Sequence, residues 1–539
     1  MEKPTLLSRK LRSKGPYLLG WVWFAGCFAV LLFLLCRHAN GWFHSDHACD
    51  LILSKLLATN GGILSSDWIY STELMVFNSQ LVYIPLFWLS NNWQLVHLAG
   101  IAIMLAMVVA SCWYFCRESS LRWFFPFFAA VLLLPTSSDY FDNMLLGAYY
   151  TVYTLIAFLT MGLMFHFLDR KPDRTFALGM GIIAILSFLS GTNGLRQLMV
   201  QFLPLLVASL GMLWRSTAIQ DDFHRQTARK SRRLFTFSLF GTICSALGYL
   251  LNSRVLSQIY QYKDYEQVLY YIDLHDYRLE ALLNGWLSSF GYNTQAESGS
   301  LFDPALTLQN GVAFVCIVLV CLSLYAILRH PQTYNFFEYT LACFFAAGFV
   351  LFAGLFLFTS MPYNARYNIS LVIFCVPLVG IYLHHLQRPR RYRYVVAGLL
   401  VCLLTLSAAL FYDKESDRNV NVGRQAAADA MVADGYTDGY ATYWNGNILT
   451  ELTNGALEIW ALLPDANSVD PTNLNPGLQL ASHLDTPPAG RFFVLFSDEE
   501  MQTYAMPQRM DPARIIYQQD GYTAFGYETY AEFVQDLAQ

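Results

Sequence analysis

Up to Tyr412 the sequence is a succession of apolar runs, each about 18–22 residues long and so able to cross a bilayer core of roughly 30 Å as a helix; none follows Tyr412. This pattern excludes a soluble globular chain. Charged residues make up only 14% of the whole, against roughly 25% in soluble domains. About eleven spans are expected, near 17–36, 94–116, 121–136, 148–168, 175–191, 197–214, 234–252, 310–328, 337–358, 367–386 and 394–412. The apolar stretch 81–90 is too short to cross and is expected at the interface.

Basic residues orient the chain. Residues 1–16 carry Lys3, Arg9, Lys10, Arg12 and Lys14 ahead of the first run. That run is long, and no small-x-small site follows it, so it reads as an uncleaved first span. With the N-terminus in the cytoplasm, the inner connections hold Arg117 and Arg122, Arg170 to Arg174, Arg215 to Arg233, Arg329, and Arg388 to Arg393. Five loops agree with the positive-inside bias. Residues 37–93 and 253–309 are then long outer loops within a membrane domain 17–412, and 413–539 is an extracytoplasmic domain. That last stretch holds 19 acidic and 6 basic residues, whereas the rest of the chain is basic on balance. All eleven cysteines precede residue 403 and most lie in apolar runs, where they read as small packing residues. A chain with so few outer cysteines fits a bacterial plasma membrane.

The C-terminal domain alternates strand and helix signals. Strands are expected at 439–443, 457–461, 491–496, 514–518 and 522–527, with helices at 421–433, 446–453 and 498–504. Asp520-Gly521 reads as a hairpin turn. The fold class is therefore an α-helical polytopic membrane protein with a small C-terminal α/β domain. No glycine-rich phosphate loop or catalytic triad signature is present, and no nucleic-acid partner is expected.

The densest polar cluster, His44-Ser45-Asp46-His47-Ala48-Cys49-Asp50, follows the first span. On a helix, Asp46 and Asp50 share a face. A carboxylate there suits a general base for an acceptor hydroxyl; the plain reading is an N-cap by Ser45 or Asp46. A divalent metal held by His44, Asp46, His47 and Asp50 is a weaker alternative, since the ligand types suit zinc or manganese while the spacing matches no metal motif. No other cofactor is implied. Trp68 and Tyr70 read as interfacial anchors, and Glu73 is a candidate for substrate contact. Asp139 and Asp142, in Ser137–Asn143 ahead of Tyr149-Tyr150, offer further acids or an ordinary polar turn. Arg196 and Arg366 stand at outer ends of spans, against the charge bias. Their forked donors suit a phosphate, or they snorkel to headgroups.

These features resemble the GT-C glycosyltransferases, which include protein O-mannosyltransferases, lipid A aminoarabinose transferases and RgtA-like enzymes. Asp46, in Gly41-Trp42-Phe43-His44-Ser45-Asp46, takes the place of the family's acidic residue after the first span. Leu51–Gly62 is similar to the helix and glycine turn that follow it. Ala365-Arg366-Tyr367 is similar to a late Arg-Tyr motif. The likeness covers roughly residues 15–390, mostly as topology. The family often has Asp-Glu where this chain has Asp46-His47, which leaves the metal and the second carboxylate open. The resemblance implies a sugar donor on a polyprenyl phosphate or pyrophosphate, with Arg366, Tyr367 and Arg196 at the phosphate. It implies Asp46 as base and inversion at the sugar carbon. The acceptor would be an envelope glycan, lipid or protein, and membrane lipids would surround the chain. Tyr443-Trp444-Asn445-Gly446-Asn447, in the domain that some members append, offers aromatic stacking to a sugar or simply core aromatics.

Two other classes fit the topology. A lipid or glycan transporter or flippase predicts ionisable groups or broken helices near mid-membrane; here the mid-span positions are nearly free of charge. A non-catalytic envelope-assembly protein would leave Asp46 and Arg366 replaceable.

Overall fold

The computed structural model describes residues 6–72, 74–117, 119–218, 222–263, 271–272, 275–292 and 304–538. They form two compact units. One comprises Met1–Phe33, Leu105–Leu250 and Glu266–Glu415; the other comprises Leu34–Met104, Leu251–Tyr265 and Ser416–Gln539.

Among the described residues, nine helices are long and apolar enough to cross a membrane, and the chain is a multi-pass membrane protein. A tenth span results if Ser138–Leu146 and Thr151–Phe167, bent by 78°, count as one. Ala148 sits in the bend with φ +55°, a left-handed conformation unusual outside glycine. The turn expected around Asp139 is thus helical. The expected span 121–136 differs more. It is a 3₁₀ turn, Ser120–Trp123, followed by an eight-residue helix, Phe125–Leu132. Pro126 lacks the N–H that an interior position needs, so it sets the helix start there.

Within the first unit, helix Arg174–Gly191 meets helix Asp222–Arg254 backbone to backbone. A Cβ on Gly191 would lie 1.9 Å from the Ser245 carbonyl oxygen, and one on Gly248 would lie 2.0 Å from that of Phe188. Small residues permit such crossings where no hydrophobic force separates helix from lipid.

The second unit is built on a five-stranded mixed sheet. Seven strands occur among the described residues: β1 (Trp68–Ile69), β2 (Asp438–Thr442), β3 (Glu458–Leu462), β4 (Gln479–Leu480), β5 (Phe492–Ser497), β6 (Ile515–Gln519) and β7 (Tyr522–Tyr527). The sheet order is β3-β2-β5-β7-β6. The β2 strand runs parallel to β3 and β5, and β7 runs antiparallel to β5 and β6. Phe492, Val494 and Phe496 enter one core, while Phe493 and Leu495 enter the other. Burial on both faces is why β5 reads as an unbroken apolar run. Each strand of the five-stranded sheet lies within a residue of the stretch the sequence suggested; β1, β4 and the closing helix Tyr530–Leu537 are additional.

Residues 37–93 belong to this unit. Its β1 pairs antiparallel with β4. Trp68 and Tyr70 are not interfacial anchors: both are buried in a cluster with Leu53, Leu57 and Leu74. The stretch 81–90 forms the helix Gln80–Leu89.

Candidate functional site

In the second unit, helix Ser45–Asn60 begins three residues after the first span ends at Trp42. The cap is His44 rather than Ser45 or Asp46. Its Nδ1 accepts the Asp46 N–H at 3.3 Å, and His47 Nδ1 accepts the His44 N–H at 3.3 Å. The two rings stack with centroids 3.8 Å apart. Both Nδ1 atoms therefore face backbone donors. Among the described residues no group of three or more His, Cys, Asp or Glu side chains is arranged to hold a metal ion, so the set His44, Asp46, His47 and Asp50 does not converge as a ligand sphere.

Asp46 and Asp50 lie one turn apart on the same helix, in different surroundings. Asp46 occupies the first turn, where the helix N-terminus favours negative charge. Its Oδ1 accepts the Tyr443 hydroxyl. Burial and the nearby acidic groups hold that phenol neutral, far above its ordinary range. Asp50 accepts the Ser79 hydroxyl at 2.6 Å. Burial, more than any other cause, pushes the Asp50 carboxyl up to about 6; the Ser79 bond and His97 pull it back, and the charge of Asp46 adds to the rise. Beside them, His97 Nδ1 meets Glu451 Oε1 at 2.7 Å, both groups buried. The His97 ring stacks on Phe43 at 3.9 Å. Neighbouring carboxyls with divergent environments are the usual arrangement for assigning distinct acid and base roles.

In the first unit the two arginines converge. Arg196 stands in the turn after Gly191, where Gly194 adopts φ +95°. Arg366 stands in the 3₁₀ turn Ala365–Asn368, capped by Asn364, whose Oδ1 accepts the Arg366 N–H at 3.1 Å. Both guanidinium carbons lie 5.8 Å from the Tyr367 ring centroid. Arg196 also lies over Tyr150 at 4.9 Å and Tyr153 at 5.2 Å. The Nε of Arg366 and the hydroxyl of Tyr150 are buried without a hydrogen-bond partner among the described residues. Helix Ser138–Tyr140 packs on the Arg366 turn, and the charge of Arg366 acts on Asp139.

That turn is fixed from below. Asn368 donates to Gly285 O at 3.1 Å, Ser289 Oγ at 3.0 Å and Tyr363 Oη at 2.7 Å. A Cβ at Gly285 would lie 2.1 Å from the Tyr363 oxygen, so a larger residue there would displace that ring. Beside it opens a polar cavity of about 480 Å³ lined by Asp139, Asn284, Ser288, Tyr292, Tyr363 and Lys414. Asp142 does not line it. Thr136 lines both this cavity and an apolar groove between spans, walled by Trp23, Phe124, Phe128, Phe290, Leu319 and Val376. The shape suits an amphiphile with its polar head in the cavity and an alkyl chain along the groove.

Of the residues singled out from sequence, Asp46 and Asp50 share one unit; Arg196, Arg366, Tyr367 and Asp139 share the other. Glu73 lies outside the described residues. Sequence reasoning missed Ser79, His97 and Glu451 as partners of the acidic cluster. It raised Tyr443 only as a sugar-stacking or core aromatic.

No protein-family model matches the sequence, and comparison with curated proteins finds no match. Solved structures match in fold. ArnT from Cupriavidus metallidurans bound to undecaprenyl phosphate superposes with a TM-score of 0.51 at 14% identity, covering 95% of this chain and 98% of that one. ArnT in the apo state gives 0.49 at 12%, covering 93% and 98%. The Archaeoglobus fulgidus oligosaccharyltransferase complex with zinc and sulfate gives 0.44 at 12%, covering 88% and 68%. The chain thus shares the fold of ArnT along nearly its whole length.

Proposed function

We propose that this chain is a membrane glycosyltransferase that moves a sugar from a polyprenyl-(pyro)phosphate donor to an acceptor hydroxyl on the outer face of the membrane. The reading rests above all on the meeting of Arg196 and Arg366 at Tyr367, where a buried Nε–H and the Tyr150 hydroxyl remain to be satisfied. An oxyanion is the natural acceptor for such donors. The fold supports the same reading, since the ArnT structure that shares it was solved with undecaprenyl phosphate.

In this mechanism Arg366 and Arg196 bind the donor phosphate, and the apolar groove takes part of the prenyl chain. The acceptor oxygen attacks the sugar carbon as the bond from that carbon to the phosphate oxygen breaks. Asp46 takes the acceptor proton, and the two arginines stabilise the charge on the departing polyprenyl phosphate. A single displacement inverts the sugar carbon. Asp50, Asp139 and Asp142 are secondary acids of the same reading, with Asp139 on the wall of the polar cavity. On the same reading the chain sits in a bacterial plasma membrane with its N-terminus inside and its C-terminal domain outside.

The test is transfer of label from a radiolabelled polyprenyl-phosphate sugar to envelope extract by the purified protein. Wild type should transfer it, and folded Asp46→Asn should not. A protein that moves the lipid between leaflets without cleaving the sugar from phosphate is instead a flippase.

A further inference from the structure

Helix Tyr443–Leu452, at the end of β2, lies directly against helix Ser45–Asn60. The segments flanking the two helices are tied together at several separate points. Asn421 donates from Nδ2 to the carbonyl oxygens of Asn40 at 2.6 Å and Phe43 at 2.7 Å. The Trp93 N–H donates to Asn454 Oδ1 at 2.9 Å. His97 of helix Trp93–Cys116 pairs with Glu451 of helix Tyr443–Leu452, both buried. So many fixed points leave Tyr443 little freedom, and its hydroxyl ends on Asp46 Oδ1.

We infer that Tyr443 of the C-terminal domain is a positioning residue for Asp46: its hydrogen bond occupies one carboxylate oxygen and directs the other at the acceptor hydroxyl. The inference rests on the reading of Asp46 as the base. It makes the C-terminal domain a working part of the site rather than an appendage. Tyr443 donates its proton in the hydrogen bond and keeps it, while the acceptor's proton goes to the free oxygen of Asp46. A carboxylate that must take a proton from a weakly acidic hydroxyl works only within hydrogen-bond reach and in the right orientation. A tyrosine on a rigid helix supplies that orientation better than water does.

The experiment compares wild type, Asp46→Asn, Tyr443→Phe and Tyr443→His in the full-length protein, with radiolabelled polyprenyl-phosphate sugar as donor and envelope extract as acceptor. Tyr443→Phe retains the ring and removes only the donor. It should lower kcat by about tenfold or more, the size expected for one hydrogen bond to a charged group, with donor KM within about twofold and an unchanged melting temperature. Tyr443→His, which restores an N–H donor, should recover part of the loss. Full wild-type kcat in Tyr443→Phe overturns the inference. So does a loss that follows a fall in melting temperature and is not recovered by histidine. If wild type transfers label, Asp46→Asn does not and Tyr443→Phe is unimpaired, this inference alone fails. If wild type itself transfers nothing, the transferase reading fails with it.

Discussion

Arg196 and Arg366, 170 positions apart in sequence, hold their guanidinium groups at the same 5.8 Å from the ring of Tyr367. Each comes from a turn at the end of a span. On the proposed reading, a donor phosphate beside this ring would meet both guanidinium groups.

Replacing Arg366 by lysine keeps the charge and loses the fork. For a phosphate held by charge-assisted bonds, donor KM should rise roughly tenfold in Arg366→Lys and further in Arg366→Ala. The same series at Arg196 should follow the same order. Donor KM values unchanged across both series would remove the phosphate from this place.

The apolar groove gives a chain-length prediction. Val376 lines it. Tryptophan at 376 should raise KM for a long-chain polyprenyl donor by about tenfold, since excluding two methylenes costs roughly that much. A donor with a ten-carbon prenyl chain, too short to fill the groove, should be nearly unaffected. Equal effects on both donors would place the tail elsewhere.

The Asp50 carboxyl, pushed up to about 6 from an ordinary 3.8, makes stability depend on pH. The folded state holds this proton more tightly than the unfolded chain, so the group lowers stability as pH rises from about 4 to 6, and the penalty is complete above that. The shift corresponds to at most about 3 kcal/mol. Asp50→Asn keeps an acceptor for Ser79 and removes the charge. It should raise the melting temperature at pH 8 and leave it unchanged at pH 4, where both side chains are neutral. Thermal unfolding in detergent at the two pH values decides this; equal effects at both would mean that packing, not ionisation, governs the position.

Much of this architecture was legible in the sequence, for physical reasons. Bilayer thickness forces long apolar runs, so most spans could be read directly. Burial on both faces forces continuous apolar strands, so Phe492–Ser497 stood out. The short helix Phe125–Leu132 was not legible, because hydropathy does not register what Pro126 does to a backbone. Neither were the partners of the acidic cluster. Tyr443 lies 397 positions from Asp46, and Glu451 lies 354 from His97. No local periodicity encodes such pairs; they follow from how the C-terminal sheet docks on the first loop.

His97 and Glu451 illustrate the energetics of that docking. Removing one member of a buried pair strands the other, typically at a cost of about 3–5 kcal/mol. His97→Ala should therefore lower the melting temperature by several degrees, whereas Glu451→Gln, which keeps an oxygen acceptor, should cost clearly less. Equal losses in the two variants would show that the stranded charge is not the cause.

In the proposed mechanism Asp46 acts in chemistry and the arginines act in binding. Single-turnover measurement on folded Asp46→Asn, with a radiolabelled polyprenyl-phosphate sugar bound at equilibrium, separates these roles most directly. The account predicts donor affinity within about twofold of wild type and a transfer rate lower by at least about a hundredfold, the scale of a lost general base. A variant that binds donor normally and transfers sugar at the wild-type rate would contradict it.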